Sequence, residues 1–522
     1  MSHDEKKSMS LIKRLFKLIF SRMVLVGLLL VLQVAVLVGG IAFLSSYFFY
    51  VYAFFWLLSL GVVIWLLSQK DNPSFKLAWT ILILLLPVFG GLFYIICGVN
   101  RPTRKFARQM NDICKQTNPL MVQEPEILEE LEAQDKEIAL QSHYIADCAS
   151  YPVYKNTETE YLSPGEVKFE RLKEELQKAK HYIFLEYFII EEGIMWNSVL
   201  DILREKAAQG LDVRVMYDDI GSIQTLPYKY DEKLRKMGIK AKVFNPFTPS
   251  LSIKMNNRDH RKIVVIDGHT GFTGGINLAD EYINAYPKHG HWKDASIMIR
   301  GEAVWNLTVM FLQAWNFQQR EDQDFEGFKP RIHWDDEFPD DGYVQPYGDS
   351  PMDGETVGES VYMNIINHAR DYVYINTPYL IVDNELNTCL SLAAKNGIDV
   401  RIVTPHIPDK WYVHLLTRAY YKQLIRAGVK IYEYTPGFIH SKTFVSDDVL
   451  ATVGTINLDF RSLYMHFECG VWMYKSQAVM QVKEDYLKTL EVCQPITLED
   501  CNRVNLAQRF IRGLLRLFAP LM

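Results

Sequence analysis

The sequence predicts an α/β fold made of two copies of one unit, preceded by an N-terminal module of membrane-spanning helices. Three observations support this prediction. Residues 23–98 are almost wholly apolar, whereas the rest of the 522-residue chain has the composition of an ordinary soluble protein. Beyond residue 150, strand-like runs alternate with amphipathic helical segments. These runs then recur in the same order in the second half of the chain.

Residues 1–22 form a basic, amphipathic N-terminus. Six cations precede the first apolar stretch: Lys6, Lys7, Lys13, Arg14, Lys17 and Arg22. By the positive-inside tendency, they predict a cytoplasmic N-terminus. The apolar spacing in "LIKRLFKLIF" is typical of a helix that lies on a membrane surface.

Residues 23–98 contain three apolar stretches, which are Met23–Phe43, Phe49–Leu67 and Leu77–Cys97. Each approaches the roughly 20 residues needed to cross the hydrocarbon core of a bilayer. Three full crossings would place the following cations outside, against the positive-inside tendency. The third stretch, however, contains "LPVFGG", which predicts a kinked or re-entrant hairpin as the alternative. The sequence therefore predicts either two or three crossings.

Residues 99–150 are polar and include the acidic run "QEPEILEELEAQDKE". A charge run of this kind usually marks a solvated helix. We interpret this segment as a linker between the membrane module and the rest of the chain.

The chain from residue 151 onward is duplicated. "HYIFLEYFIIEEG" at 181 corresponds to "DYVYINTPYLIVDN" at 371, and "GLDVRVMYDD" at 210 corresponds to "GIDVRIVTPH" at 397. A third pair is "LRKMGIKAKVF" at 234 and "LIRAGVKIYEY" at 424. We therefore predict a first copy over 151–334 and a second copy over 335–505, each within the usual size of a domain. Tandem copies commonly pack about a pseudo-two-fold axis, which would bring equivalent elements face to face.

Each copy carries a histidine and a lysine two residues apart, then a four-residue run and an aspartate. These residues are His260, Lys262 and Asp267 in "HRKIVVID", and His440, Lys442 and Asp447 in "HSKTFVSD". On a strand, residues two apart point to the same face. Seven residues after each aspartate, a glycine begins the string "GGIN" in the first copy and "GTIN" in the second. Gly274 and Asn277 of the first copy therefore match Gly454 and Asn457 of the second, in which Thr455 follows the glycine.

This pattern is suited to chemistry on a phosphodiester. Lysine and asparagine side chains can hold phosphate oxygens, and glycine allows the backbone to approach closely. Two facing histidines can work as a pair, one attacking phosphorus while the other protonates the leaving oxygen. A carboxylate hydrogen-bonded to each ring would set its tautomer. A single short motif is weak evidence, but two copies inside a repeat favour a functional site.

The paired HxKxxxxD motifs resemble those of the phospholipase D superfamily. The resemblance implies two pseudo-symmetric phospholipase D-like domains, each an α-β-α sandwich. By motif position it makes His260 the nucleophile and His440 the general acid and base, an order that symmetry makes reversible. It further implies that Lys262, Lys442, Asn277 and Asn457 bind phosphate, and that Asp267 and Asp447 orient the histidines. Gly274, Gly454 and Thr455 would line the substrate site, although Gly275 stands where the family often has serine.

A narrower resemblance is to bacterial cardiolipin synthases. It is carried by "NPSFKLAWTILILLLPVFGGLFYIICG" and by "INLDFRSLYMHFECGVW", which contains Arg461, Ser462 and Glu468. These three residues either support the catalytic residues from behind or form a buried ion pair that serves the fold. The resemblance implies transfer of a phosphatidyl group between two phosphatidylglycerol molecules to give cardiolipin and glycerol at the cell membrane. The alternatives are a membrane-bound phospholipase D hydrolase and a phosphatidyltransferase that uses another alcohol.

Other features limit partners and cofactors. The net charge of −6 and the lack of a long basic stripe argue against a nucleic-acid partner. The seven cysteines have no CxxC spacing, so neither a zinc site nor a disulfide framework is predicted. The resemblance implies no cofactor and no metal. The C-terminal segment 506–522 follows Asn505 in the string "NLAQRFIRGLLRLFAPLM". It is either a second interfacial helix or a helix packed on the core. The sequence does not indicate an oligomeric state.

Overall fold

A computed structural model of the protein describes residues 48–70, 72–86, 90–97, 104–247, 256–318, 325–332, 334 and 337–521, with the single residues 31, 35 and 39. The predicted basic segment 1–22 lies outside the described residues, as does nearly all of the first predicted apolar stretch, 23–43.

The described N-terminal part consists of three helices, α1 Phe48–Ser68, α2 Pro73–Leu85 and α3 Gly90–Cys97. The third apolar stretch is thus divided between α2 and α3, which pack on each other: the rings of Trp79 and Tyr94 lie 5.2 Å apart. A Cβ on Gly90 would lie 2.6 Å from the backbone of Ile83, so this contact requires glycine. Among the described residues, no helix combines the length and the apolarity expected of a membrane span, and the predicted crossings are not confirmed.

Residues 104–149 form three helices, α4 Arg104–Thr117, α5 Pro125–Gln134 and α6 Lys136–Ala149. They differ from the expected solvated linker because each buries an apolar face. On α4, for example, the ring of Phe106 lies 4.4 Å from that of Phe317. The acidic residues of the sequence run cover only the outer side of these helices.

The first copy forms one seven-stranded sheet. Its strands are β1 Thr157–Leu162, β2 Tyr182–Tyr187, β3 Asp212–Asp218, β4 Lys240–Phe244, β5 Ile263–Ile266, β6 Thr270–Gly274 and β8 Ser296–Gly301, while β7 His291–Lys293 lies outside this sheet. The strand order is β1-β8-β6-β5-β2-β3-β4, with β2, β3 and β4 parallel to one another. Its helices are α7 Gly165–Lys178, α8 Ile194–Ala208, α9 Asp219–Ser222, α10 Tyr230–Lys236 and α11 Val304–Gln318.

The second copy forms an eight-stranded sheet. Its strands are β9 Tyr343–Asp349, β10 Tyr372–Asn376, β11 Asp399–Pro405, β12 Lys430–Tyr434, β14 Thr443–Ser446, β15 Leu450–Gly454, β16 Glu468–Tyr474 and β17 Cys493–Ile496, while β13 Gly437–Ile439 lies outside this sheet. Its helices are α12 Val357–His368, α13 Asn384–Lys395, α14 Trp411–Ala427, α15 Phe460–Tyr464, α16 Gln477–Leu490 and α17 Leu498–Asn502; helix α18, Leu506–Phe518, follows. Short 3-10 turns occur at Asn118–Leu120, Asp280–Ile283, Glu326–Phe328, Pro330–Ile332 and Ala519–Leu521.

The two sheets have the same topology. The order β9-β16-β15-β14-β10-β11-β12 repeats that of the first sheet strand for strand, and β17 adds one antiparallel strand at the edge. All four residues of β5 are buried, as are all four of β14, because helices cover both faces of each sheet. The α/β prediction and the duplication of the sheet are therefore confirmed.

The two copies exchange short backbone contacts at the place where the motif histidines lie. Strand β13, which ends just before His440, pairs in parallel with β7 of the first copy. In the same way, Asp259, just before His260, forms a parallel bridge with Phe467 of the second copy. Each histidine segment is thereby fixed against the other copy, as a pseudo-two-fold arrangement requires.

Candidate active site

His260 is held by a carboxylate from the second copy. The backbone N–H of His260 donates to the carbonyl of Phe467 at 2.9 Å. Its ring Nδ1 lies 2.9 Å and 3.0 Å from the two carboxylate oxygens of Glu468. Because a carboxylate only accepts, Nδ1 carries the proton and the lone pair of the ring is at Nε2. The side chain of Glu468 is fully buried, so the interaction has little competition from water.

His440 has the equivalent environment, with the roles of the two copies exchanged. Its backbone N–H donates to the carbonyl of Lys293 at 2.7 Å, and its ring Nδ1 lies 2.7 Å from Oδ2 of Asp294, in the first copy. Asp294 is the positional equivalent of Glu468, since each begins the segment that runs into β8 or β16. Both histidines are almost fully buried, at 7% exposure.

The motif aspartates do not contact the histidines, so the role expected for them is wrong. The carboxylate of Asp267 accepts the backbone N–H groups of Lys180, His181 and Tyr182 at 2.8–2.9 Å. Asp447 accepts three backbone N–H groups in the same way, from the segment that leads into β10. The four-residue strand between lysine and aspartate separates their Cα atoms by about 16 Å at roughly 3.3 Å per residue. Both aspartates serve the fold at the far end of the strand.

The two lysines lie beside the histidines and are 2% exposed. Each Nζ donates to the backbone carbonyl of the histidine in its own motif. Burial lowers the pKa of Lys262 to about 8 and that of Lys442 to about 7. Burial, then Lys262, Lys442 and His440, lower the pKa of His260 well below its usual range. Residues of both motifs therefore share one electrostatic environment.

Close backbone packing explains the motif glycines. A Cβ on Gly274 would lie 2.5 Å from the carbonyl oxygen of Ala295, and one on Gly454 would lie 2.5 Å from that of Cys469. Gly275 is constrained differently, because its Cβ would lie 2.1 Å from Oδ1 of Asp294. The glycine that replaces the usual serine thus makes room for the carboxylate that holds His440.

Thr455 occupies the equivalent position in the second copy. Its hydroxyl donates to Oε2 of Glu468 at 2.5 Å, and the residue is fully buried. The hydroxyl therefore supports the partner of His260 and does not face a substrate.

The remaining predicted residues are Asn277, Asn457, Arg461 and Ser462. The amide of Asn277 is engaged at both ends, since Oδ1 accepts from the N–H of Ile189 at 3.0 Å and Nδ2 donates to Tyr282 at 2.7 Å. Within the described part of the chain, Oδ1 of Asn457 has no hydrogen-bond partner. The backbone N–H groups of Arg461 and Ser462 donate to Asp459 at 2.9 Å and so cap helix α15.

The pKa values of the two carboxylate partners are shifted in opposite directions. Burial raises the pKa of Glu468 to about 7, although Lys262 and the hydroxyls of Thr455 and Ser462 oppose this shift. The pKa of Asp294 is lowered, because His440 and Lys442 outweigh its burial. Burial and Lys442 in turn lower the pKa of His440 to about 4, with Asp294 opposing them. Asp294 is therefore the more firmly ionised of the two carboxylates.

The aromatic walls of the site are also unequal. The ring of His440 lies 5.4 Å from that of Trp292 and 5.6 Å from that of Tyr282. At the position equivalent to Trp292, the second copy has His466, whose ring lies 5.7 Å from that of His260. Within the described residues, neither ring nitrogen of His466 has a hydrogen-bond partner.

His260, His466 and Glu468 together could offer ligand atoms to a metal ion, since those atoms lie within 4.8 Å of one another. A metal would have to displace the bond between His260 and Glu468, next to the two buried lysines. The donor set therefore fits an anion better than a cation.

Sequence reasoning missed Asp294 and His466. Both lie in stretches that the repeat places in register, "HWKDASIMI" and "MHFECGVW", in which Asp294 matches Glu468. The offset there is 468−294=174, against 440−260=180 for the histidines, so the loops before them differ in length. Aligning the two copies through this segment would have identified both residues.

Two buried ion pairs were also missed: Arg258 with Asp218 at 2.7 Å and Arg261 with Glu186 at 2.8 Å, which fix the backbone on either side of His260.

Comparison with known proteins agrees with this geometry. The family profile described as cardiolipin synthase, PLD-like domain, matches residues 172–289 and 362–490, and the profile described as phospholipase D-nuclease N-terminal matches residues 49–98. A cardiolipin synthase of Alkalihalophilus pseudofirmus is 33% identical, over 89% of this chain and 92% of the relative. One from a Geobacillus strain is 35% identical, over 87% of this chain and 90% of the relative.

The solved structures supply the fold. The crystal structure of phosphatidylserine synthase from Haemophilus influenzae aligns with a TM-score of 0.53 at 14% identity, covering 70% of this chain and 93% of that one. The likeness supports the two-copy α/β architecture. The relatives match this chain almost end to end, and the profile matches and the paired motifs agree with them. This chain therefore belongs to the bacterial cardiolipin synthase family of the phospholipase D superfamily.

Proposed function

We propose that this chain is a cardiolipin synthase, which transfers a phosphatidyl group from one phosphatidylglycerol to another and releases glycerol. The observation that carries the proposal is the crosswise pairing at the site. Each motif histidine gives its Nδ1 to a carboxylate of the other copy, which leaves Nε2 of each ring for the substrate. Two facing nitrogens of this kind are what an in-line double displacement at phosphorus requires.

In the first half-reaction, Nε2 of His260 attacks the phosphorus of one phosphatidylglycerol. The bond between phosphorus and the glycerol headgroup oxygen breaks, and His440 donates a proton to that oxygen. Glycerol leaves, and a phosphatidyl-histidine remains. The two lysines neutralise the charge that develops on the phosphate oxygens.

In the second half-reaction, His440 takes the proton from a terminal hydroxyl of a second phosphatidylglycerol. The hydroxyl oxygen attacks phosphorus, the bond to nitrogen breaks, and the electron pair returns to His260. The product is cardiolipin. A phosphodiester is exchanged for a phosphodiester, so excess glycerol should drive the reaction backwards.

The unequal carboxylates support the assignment of His260 as nucleophile. Asp294 has a lowered pKa and stays ionised, so it can stabilise the imidazolium form that a general acid must reach. The pKa of Glu468 is about 7, so it favours a neutral ring at His260, as a nucleophile needs. A bound phosphodiester adds a negative charge, which would raise the pKa of His440 toward neutrality.

Other residues of the site would complete the phosphate pocket. We assign phosphate contacts to Lys262, Lys442 and Asn457, and close backbone approach to Gly274 and Gly454. Asn277 would position the loop that contains it, since its amide is already engaged. His466 would donate a hydrogen bond to the phosphate or its glycerol, because its imidazole lies beside His260 and, within the described residues, neither of its ring nitrogens is hydrogen-bonded.

The N-terminal part would attach the enzyme to the cell membrane, with the catalytic copies, 151–334 and 335–505, on the cytoplasmic side. Helix α1 exposes large apolar side chains, among them Phe49, Phe54 and Ile64 at 61–73% exposure, which water solvates poorly. The basic segment 1–22 favours the cytoplasmic face. Attachment concentrates the lipid alcohol at the site, so that it can outcompete water for the intermediate.

A labelled-lipid assay with the purified chain tests the function. Phosphatidylglycerol labelled in its phosphatidyl part should yield labelled cardiolipin, and added glycerol should reduce the yield. Phosphatidic acid without cardiolipin would indicate a phospholipase D hydrolase, and a product that forms only when another alcohol is added would indicate a different phosphatidyltransferase. Either result would replace the proposal.

A donor with an activated leaving group, such as a nitrophenyl phosphatidyl ester, tests the roles of the histidines. Its departure needs no acid, so His440→Ala should still form a labelled phosphatidyl-enzyme, detected after alkaline denaturation. His260→Ala should form none. Labelling of His260→Ala but not of His440→Ala would reverse the assignment.

A further inference from the structure

Helix α18 carries a row of exposed apolar side chains. Leu506, Phe510 and Leu514 follow one another at intervals of four residues and therefore lie on one side of the helix. They are 81%, 73% and 47% exposed, and Ile511 beside them is 41% exposed. We call these four residues the apolar face of α18.

The side of α18 that faces α14 carries arginines. The guanidinium of Arg516 lies 4.6 Å from the ring centre of Tyr420 and donates to Gln423 at 3.0 Å. Arg512 lines a polar cavity of about 250 Å³, in which Arg418 pairs with Glu433 at 2.6 Å. The helix is therefore fixed to the second copy on one side, while no described residue covers its apolar face.

A basic cleft of about 640 Å³ lies next to this helix, between α13, α14 and α18. Its cations are Lys395, Lys422, Arg426 and Arg516, and among the residues that the structure describes no carboxylate lines it. The rest of its wall consists of neutral polar residues and apolar residues, which are Asn387, Thr388, Ser391, Gln423, Leu392, Ala419 and Ala427. Within the part of the chain that the structure describes, Lys422 and Arg516 contact neutral amide oxygens, of Asn502 and Gln423, and none of the four cations forms an ion pair.

This concentration of positive charge is unusual for the chain as a whole, whose net charge is −6. Four cations that form no ion pair with a described residue attract anions of phosphate type, which accept several hydrogen bonds at once. An exposed apolar row beside such cations is the arrangement of helices that lie in the headgroup region of an anionic bilayer. A soluble acidic protein would match the cations but would not require the uncovered Phe510 and Leu506.

We propose that the apolar face of α18 and the basic cleft together dock the second copy onto an anionic phospholipid leaflet, with a lipid phosphate in the cleft. The surface belongs to α13, α14 and α18, none of which supplies a residue to the catalytic centre. It is thus a lipid contact of the catalytic body itself, separate from the N-terminal helices. Its orientation would hold the second copy at the bilayer in a fixed pose.

Hydrogen exchange of the full chain in nanodiscs tests the proposal. Amides of residues 506–518 and 387–395 should exchange about tenfold more slowly in nanodiscs that contain phosphatidylglycerol than in nanodiscs of phosphatidylcholine alone. Equal exchange in the two lipids would overturn the proposal. Equal protection by inorganic phosphate in detergent would identify a phosphate-ion site instead, and protection that needs an added protein would identify a protein partner; both would also overturn it.

Two pairs of variants separate the contributions of the surface. Phe510→Glu should abolish the lipid-dependent protection, whereas Tyr228→Glu, at a side chain 89% exposed in the first copy, should leave it intact. Lys395→Gln with Arg426→Gln should remove the preference for phosphatidylglycerol, whereas Lys236→Gln with Lys488→Gln, an equal change in charge, should not. Protection that survives both test variants would refute the docking surface. Thermal unfolding of each variant checks that it is folded.

Discussion

The Nδ1 atom of His260 lies 2.9 Å from the carboxylate of Glu468, a residue 208 positions away in the other copy of the repeat. The same bond recurs between His440 and Asp294, 146 positions apart and in the opposite direction. Neither copy supplies the carboxylate that accepts from the ring of its own histidine. A single copy would therefore lack the partner that sets the tautomer of its ring, so the site requires both copies.

Glu468→Gln should lower kcat by about 10²–10⁴-fold, the range over which positioned acid–base groups act. An amide can no longer match the charge of the ring during the reaction. KM for phosphatidylglycerol should change little, because the carboxylate of Glu468 is fully buried and engaged with the ring of His260. Steady-state kinetics in mixed micelles measures both quantities. Glu484→Gln, on the outer side of α16, is the matched control, and a comparable loss in both variants would count against the interpretation.

Gly275→Ser should inactivate the enzyme by about 10²-fold or more, because Asp294 would no longer support acid–base catalysis by His440. The new Cβ would lie 2.1 Å from Oδ1 of Asp294 and would force that carboxylate to move. Thr455→Ser, which keeps its hydroxyl on Glu468, should retain most of the activity. A Gly275→Ser enzyme with the parental rate would show that Asp294 can move without consequence.

Asp447→Asn should destabilise the fold while leaving the chemistry of the folded fraction nearly intact. Its carboxylate accepts three backbone N–H groups, and loss of a charged acceptor costs about 1.5–3 kcal/mol. Asp448→Asn is the neighbouring control, since that half-exposed side chain pairs mainly with Lys483 at the surface. Thermal melting and kcat per folded molecule distinguish this outcome from the catalytic role expected for Asp447 from its motif. A loss of kcat without a loss of stability would restore the catalytic role.

The kcat/KM value should fall as pH rises above about 7–8. Lys442 and Lys262, with pKa values of about 7 and about 8 in the free enzyme, are cations only below those values, and the anionic lipid needs them charged. The unfolded chain holds these protons up to about pH 10.4, so the stability of the free enzyme should rise with pH across the same interval. A pH series of both quantities tests this, and Lys442→Arg should shift the fall in kcat/KM to higher pH. Constant kcat/KM to pH 9.5 would contradict it.

His466→Phe should reduce kcat/KM by about tenfold, the effect of losing one hydrogen bond of roughly 1.4 kcal/mol. His466→Asn keeps a donor of similar reach and should recover most of the activity. Separate kcat and KM values show whether the lost bond acts on the bound lipid or on the transition state. Equal losses for the two variants would indicate that the ring only fills space beside His260.

Much of this protein was predictable from local pattern. The alternation of strands and helices predicted the α/β class, and the repeated segments predicted two sheets of the same topology, because both depend on side-chain periodicity along short stretches. The paired motifs also identified the two histidines and two lysines that lie together, since residues two apart in one segment stay neighbours in any fold. Glu468 was named from the motif resemblance, but its contact was not foreseen.

Only the tertiary structure decided which carboxylate meets which histidine. Asp267 and Asp447 are near the histidines in sequence, yet a four-residue strand carries them to the far end of the sheet, where backbone N–H groups take up their charge. Asp294 and Glu468 are distant in sequence, yet β7 with β13 and the bridge from Asp259 to Phe467 bring them across the interface between the copies. Sequence spacing fixes distance only along an extended strand, whereas packing of the two sheets fixes it between residues that the chain separates.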